Sequence, residues 1–360
     1  MNRHFIKVQN CFTVRGYNRS SLLDVQRRTL YYIPHDLEDI LDYKYGNTIE
    51  SVKLNCNFDK EIIDEYFDYL TQMEFIYFLP EAITNQFPKV QIQYKEPSIS
   101  ESVIINYKGV FLNQDHFDFL NAKYLEIRTE FEFINRLYFD LKSTLKSTIH
   151  SIIIYIIGKG ELTEDLRDLV LQIAENPRVI QITIENNEKL NFDNNCIVTT
   201  KKIEFDTDFL TIETNIIINI RFFMESNFYN PYFNSKLYVD SNGNLYNTPK
   251  KNLYFGKIEE IYNLKSQNWD NYLNKPLSEV EECSYCEHRF CCLNSLDREI
   301  NINNRLYNKH ECNYNPFISK WLGEPGYLSL SECGIESKHT GFLIDIDKLK
   351  RINEELWCES

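Results

Sequence analysis

Cys283-Ser-Tyr-Cys286-Glu-His-Arg-Phe-Cys-Cys292, followed by Cys312-Asn-Tyr-Asn-Pro-Phe-Ile-Ser-Lys-Trp321, is the stretch from which the rest of this 360-residue chain can be read. The pattern is Cys-x2-Cys-x5-Cys with a fourth Cys further on. Two thiolates three residues apart reach one metal from a single loop, and a third and fourth from separate turns close a four-thiolate site. Such a site suits zinc or an iron–sulfur cluster, and Cys alone does not choose between them. Six of the chain's ten Cys fall within residues 283–333. In a reducing compartment that clustering points to metal before disulfide. The candidate ligands are Cys283, Cys286, Cys292 and Cys312. His288 and His310 are near enough in sequence to substitute in a zinc site but read as surface histidines. Cys291 and Cys333 read as spare thiols of core or surface.

Upstream of the cluster, Leu237–Asp240, Ser241-Asn242-Gly243-Asn244 and Leu245–Asn247 form a hairpin pattern with its turn on Asn-Gly. A helix is expected at the other end, from Asp345 to Trp357. Residues 98–225 alternate short apolar runs (Val103–Tyr107, Tyr124–Thr129, Ser151–Ile157, Val179–Ile184, Cys196–Ile203, Ile216–Phe222) with amphipathic stretches at Asp115–Asn121, Phe133–Leu145 and Thr163–Glu175. Continuous apolar strands between helices predict a parallel sheet buried on both faces, as an open or partial βα barrel. Residues 1–88 place β-type runs at Phe5–Val14, Ser21–Asp24 and Thr29–Ile33 before a helix carrying Leu37, Ile40 and Leu41. A second helix from Asp59 and a strand at Phe75–Leu79 complete a winged-helix-like order, which any small α+β domain also fits. The expected division is therefore 1–88, 89–228 and 229–360, an α/β chain.

Lys plus Arg number 39 against 53 Asp plus Glu, a formal net charge of −14. With no basic block, a nucleic-acid partner is not expected. The longest apolar run, Ile152–Ile157, is far short of the roughly 20 residues a membrane span needs. With no signal-like start, a cytoplasmic protein away from membranes is expected.

The Cys motif and its sequel resemble the SPASM-domain peptide maturases of the grasp-with-spasm systems, which modify ribosomally synthesised peptides. Asn10-Cys11-Phe-Thr-Val-Arg-Gly16, Ser21-Leu-Leu-Asp24 and Tyr31-Tyr-Ile-Pro34 are similar to the family's opening. Ile346-Asp347-Lys348 and Ile352-Asn353-Glu-Glu-Leu-Trp357 are similar to its close. The resemblance implies a winged-helix-like leader-peptide recognition element (1–88), a degenerate radical-SAM-like βα partial barrel (89–228) and a SPASM-like domain (229–360). It implies a precursor peptide and an ATP-grasp ligase as partners. The leader would add a strand between Thr29–Ile33 and the helix Asp59–Gln72; Leu30, Tyr32, Ile62, Tyr66 and Tyr69 are the candidate groove residues.

The chain departs from that family in two ways. Of two auxiliary clusters, only the set Cys283, Cys286, Cys292 and Cys312 is intact; Thr248 and Leu296 stand where the second set needs Cys. After Val103–Tyr107 the sequence runs Lys108-Gly-Val-Phe-Leu-Asn-Gln-Asp115, without the Cys-x3-Cys-x2-Cys that cleaves S-adenosylmethionine. One [4Fe–4S] cluster and no S-adenosylmethionine are expected, with zinc as the alternative. Gly158-Lys-Gly160 lacks phosphate-loop spacing, and no residue is singled out as catalytic; Glu126, Glu130 and Glu132 read as a solvated strand end. The expectation is an accessory protein rather than an enzyme, against two alternatives: a maturase with redox chemistry at its single cluster, and a zinc-bound structural adaptor.

Overall fold

The computed structural model describes residues 3–84, 86–157, 163–185, 197–200 and 216–357, with the backbone alone at 197–200. It is a mixed α/β fold. Strand β1 (Arg3–Lys7) pairs antiparallel with β5 (Ile76–Pro80), while β2 (Cys11–Arg15), β3 (Ser20–Asp24) and β4 (Thr29–Ile33) form an antiparallel sheet in that order. The single run expected over Phe5–Val14 is thus two strands in different sheets. Between β4 and β5 lie α1 (His35–Leu41), α2 (Ile49–Asn55) and α3 (Lys60–Gln72), and α4 (Glu81–Thr84) follows β5. Helix α3 starts where the Asp59 side chain accepts from the Glu61 N–H, and it buries Ile63, Phe67 and Leu70 at i, i+4 and i+7. Those residues share one core with Phe5, Leu22, Leu37, Ile40 and Val52.

A second core is built on an eight-stranded sheet. Strands β6 (Ser102–Tyr107), β7 (Tyr124–Glu130), β8 (Ser151–Ile157), β9 (Val179–Ile184) and β10 (Ile197–Thr200) are parallel neighbours. Helices α5 (Gln114–Leu120), α6 (Ile134–Asp140) and α7 (Glu164–Ala174) cross between them. Ile105, Ile127, Ile154 and Ile182 stand in register across four strands, all fully buried. The apolar residues of the three helices join that same cluster. The second face is covered less completely: Arg128, Thr183 and Tyr238 are buried there, while Ile104, Asn106, Glu126, Ile153 and Tyr155 are partly buried, so the first face carries the fully buried row. The run Cys196–Ile203 is described only over Ile197–Thr200, and Gly158–Gly160 lies outside the described residues.

The run Ile216–Phe222 is not a strand. Ile216 makes one isolated bridge, to Cys292, and α8 (Ile220–Ser226) begins three residues after Ile217. The Asn219 side chain accepts from the Phe222 N–H at 2.8 Å, which turns a β-rich sequence into a helix start. The Asn-Gly hairpin forms as expected: β11 (Lys236–Val239) pairs with β12 (Asn244–Tyr246), and Asp240 Oδ1 accepts from the Asn242 and Asn244 N–H groups, both at 2.9 Å. Gly243, at φ +78°, takes the left-handed position of that turn. This hairpin belongs to the large sheet, not to the Cys region: β11 lies parallel beside β6, and β13 (Tyr254–Lys257) ends the sheet.

The last segment holds α9 (Glu281–Ser284) and the two-stranded pairs β14 (Arg298–Ile300) with β15 (Leu306–Asn308), β16 (Tyr314–Asn315) with β17 (Lys320–Trp321), and β18 (Ile335–Lys338) with β19 (Gly341–Ile344); α10 (Ile346–Trp357) closes it. The chain divides into two compact units with boundaries unlike the three expected segments: residues 1–94, 214–231 and 275–360 form one, and 95–213 with 232–274 the other. Strand β1 and helix α10 therefore belong to the unit that holds the Cys motif. Among the described residues, no helix is long and apolar enough to cross a membrane.

Candidate metal centre

Cys283 sits on α9, a single helical turn. The Cys286 N–H returns to the Cys283 carbonyl at 3.0 Å, which presents two sulfurs from one loop. Cys292 is held by its bridge to Ile216, and Cys312 lies two positions before β16. All four candidate ligands line one cavity of about 40 Å³, more than the roughly 10–15 Å³ that one water requires. Cys291 and Cys333 do not line it. They are buried in separate apolar clusters, Cys291 with Val14, Leu23 and Phe223, and Cys333 with Phe317, Ile318 and Leu349.

Three of the four sulfurs accept N–H donors. Cys283 Sγ takes Asn308 Nδ2 at 3.5 Å and Asn294 Nδ2 at 3.8 Å; Cys286 Sγ takes the His288 N–H at 3.4 Å; Cys312 Sγ takes the Tyr314 N–H at 3.5 Å. Donors on sulfur stabilise the thiolate form that a metal needs. Without a cation the site favours neutral thiols: burial pushes Cys283 up to about 12, and raises Cys286 and Cys292 well above the usual thiol range. Arg298, 2% exposed, lies beside Cys283 and Cys292, and burial lowers its guanidinium to about 10. Its positive charge favours the thiolate form of both. The residues thus fit an anionic, thiolate-bound centre.

Among the described residues, the one trio of Cys, His or acidic side chains whose donor atoms all lie within 4.8 Å of one another is Cys286, Glu287 and His288, which can hold a metal ion. Among the described residues, no three of the four candidate sulfurs all lie within 4.8 Å of one another, whereas thiolates on one tetrahedral zinc at 2.3 Å stand about 3.8 Å apart. His288 is not the surface histidine expected. It is 1% exposed, burial lowers its imidazolium to about 4, and its Nε2 shares a hydrogen bond with Tyr32 Oη at 2.8 Å. His310 is exposed, although it lines the cavity's edge.

The loop that carries Cys286 is bound to the antiparallel β2–β4 sheet. Glu287 is fully buried, and Arg19 Nε donates to its Oε1 at 2.8 Å, as does Tyr314 Oη. Ser21 Oγ donates to the Glu287 carbonyl at 2.7 Å, the Tyr17 N–H to the Tyr285 carbonyl at 2.8 Å, and Arg289 Nη1 to the Arg15 carbonyl at 2.7 Å. Gly16 permits this approach: a Cβ there would stand 2.6 Å from the Arg19 carbonyl oxygen and 2.9 Å from Glu287 Oε2. None of these contacts carries a sequence signal, because Arg19 and Glu287 are 268 positions apart and each reads as an ordinary surface charge.

The five candidate peptide-binding residues do not form one surface. Leu30 packs toward the cluster of Val14, Leu23 and Cys291, and Tyr32 points the same way, with the Arg19 guanidinium 3.4 Å from its ring centroid. Tyr66 and Tyr69 pack on the α3 core, and Ile62 is 42% exposed on α3. The β4 residue that shares their side is Tyr31, whose ring lies edge-on to Phe75 at 5.0 Å. The strand period of two puts Leu30 and Tyr32 on the opposite face. Strand β4 is nonetheless an edge of its sheet.

Comparison with protein-family models gives no match for this chain, and comparison with curated proteins gives none.

Proposed function

We propose that this protein is an accessory maturase of a ribosomally synthesised, post-translationally modified peptide, holding one [4Fe–4S] cluster on Cys283, Cys286, Cys292 and Cys312 and working beside an ATP-grasp ligase. The winged-helix-like N-terminal region captures the precursor's leader as a strand added to β4, the βα sheet is a radical-SAM-like relic, and the Cys region is SPASM-like. The observation that carries the reading is the lining of one cavity by four sulfurs, three of them with N–H donors, in the unit that also contains residues 1–94. That no three of the four sulfurs lie within 4.8 Å of one another argues against a preformed single-zinc site. When bound, the cluster supplies structural cross-linking and one-electron chemistry. The open edge of β4 supports strand addition, with Tyr31, Tyr66 and Tyr69 rather than Leu30 and Tyr32 lining the side that the peptide meets.

Anaerobic reconstitution followed by iron and sulfide analysis tests the proposal. About four iron atoms and four sulfides per chain are expected, and all are lost on Cys286→Ala. A protein that retains about one zinc per chain under the same conditions, colourless and free of sulfide, overturns the cluster assignment.

A further inference from the structure

Asn308, at the end of β15, lies between the sulfur cavity and a second, larger cleft. It is 6% exposed and its Nδ2 donates to Cys283 Sγ, yet its Oδ1 has no hydrogen-bond partner. A thiolate accepts and cannot donate. With a cluster in place the amide is therefore fixed, NH2 on sulfur and carbonyl oxygen turned away from it. A buried acceptor left in that state favours any ligand that brings a donor.

Asn308 also lines a cleft of about 590 Å³ bounded by β15 and the β18–β19 hairpin. The cleft shares Glu282 and Asn308 with the sulfur cavity. Glu282 is 6% exposed, and its two carboxylate oxygens receive the Asn308 N–H at the long distances of 3.3 and 3.4 Å. The inner end of the cleft thus presents acceptors, while Leu330, Ile335 and Leu343 give its walls an apolar lining. Two of the lysines that line the cleft are ion-paired, Lys309 with Glu299 at 3.3 Å and Lys338 with Glu336, also a lining residue, at 3.0 Å; Arg298 does not line the cleft and donates to the Lys275 carbonyl. Lys348, from α10, and the acidic Glu311 and Asp345 also line it.

We propose that this cleft binds an alkylammonium group, the side chain of a lysine-like residue of the substrate peptide, with its nitrogen donating to Asn308 Oδ1 and Glu282 and its methylene stem along Leu330, Ile335 and Leu343. This rests on the function proposed above and names the chemistry its core peptide presents. A cation at Oδ1 polarises the amide and strengthens the Nδ2–H···Sγ bond on Cys283. Stronger donors to sulfur raise a cluster's reduction potential. Occupancy of the cleft is therefore read out at the metal, and by linkage the oxidation state alters affinity for the amine.

The test titrates the reconstituted protein with Nα-acetyl-lysine methylamide and with its norleucine analogue, by calorimetry and by potentiometric electron paramagnetic resonance. Saturable binding of the lysine probe, about tenfold or more tighter than norleucine, and a positive shift in potential are expected. Asn308→Leu removes the shift and weakens binding. Leu343→Ser, at a side chain 67% exposed, leaves iron content unchanged and still weakens the lysine probe, so the test survives if the Asn308 variant loses its metal. Equal binding of both probes, no binding by protein with its full iron, or binding indifferent to Leu343→Ser overturns the inference. Iron and sulfide measured in the same samples report on the cluster separately, so a missing cluster and an empty cleft are different results.

Discussion

Glu287 is a fully buried carboxylate whose Oε1 is met by Arg19 from β2–β3 and by Tyr314 from β16. Removing one partner of such a pair leaves a charge in an apolar setting, which costs more than the pair itself contributes. Arg19→Ala is therefore expected to destabilise the protein by about 3 kcal/mol, read from urea unfolding followed by fluorescence. Arg19→Met combined with Glu287→Met costs less than Arg19→Ala alone, because the double change removes the stranded charge. A double variant worse than the single would refute the role given to Arg19. At this scale the sequence was legible where chemistry is repeated at short spacing, as in Cys283, Cys286 and Cys292. It was illegible for Arg19, Glu287, Asn308 and Arg298, whose meaning comes from partners remote in the chain. The burial of His288 was missed for the same reason, since its environment comes from Tyr32, Tyr314 and Trp321.

Most elements follow from period and punctuation, and the exceptions have identifiable causes. Helix α3 announces itself by Asp59 and an i, i+4, i+7 face, whereas α2 buries only Val52 and depends on the reciprocal bonds of Thr48 and Ser51. That capping box is local chemistry without an apolar stripe, so periodicity passes over it. Helix α8 is the sharper case, because Ile216–Phe222 is β-branched and apolar enough to look like a strand. Its state is decided by the Asn219 cap and by Phe222 and Phe223 turning toward buried surroundings. Asn219→Ala is expected to cost about 1 kcal/mol and Asn219→Asp close to nothing. Hydrogen exchange localised to 220–226 checks this, and equal exchange in the two variants would show that packing alone holds the helix. The two compact units cut across the expected segments for a comparable reason. The hairpin at 236–246 was legible, but its parallel pairing with β6, more than 130 residues earlier, was not.

At the scale of the molecule, the unit containing the Cys motif is assembled from three separate stretches of chain, and the other unit has its own core on the large sheet. Three of the four candidate ligands lie on the loop 283–292, and that loop receives hydrogen bonds from Tyr17 and Ser21 and sends one from Arg289 to Arg15. Restraint of the loop by a bound metal is therefore also restraint of β2–β4, more than 250 residues away in sequence. Metal binding that requires a folded site adds its free energy to folding, and its loss is felt wherever the site's supports are. Anaerobic removal of the metal is expected to raise amide exchange across residues 11–33 and 281–321 together. Strands β6 to β9 keep their protection, because the in-register row Ile105, Ile127, Ile154 and Ile182 owes nothing to the loop. Thermal unfolding then separates into two transitions, with only the lower one moving as metal is restored. Exchange that rises in 281–321 while 11–33 stays protected would mean the N-terminal sheet stands without the metal loop, and the proposed leader capture would then have no physical line to the proposed cluster.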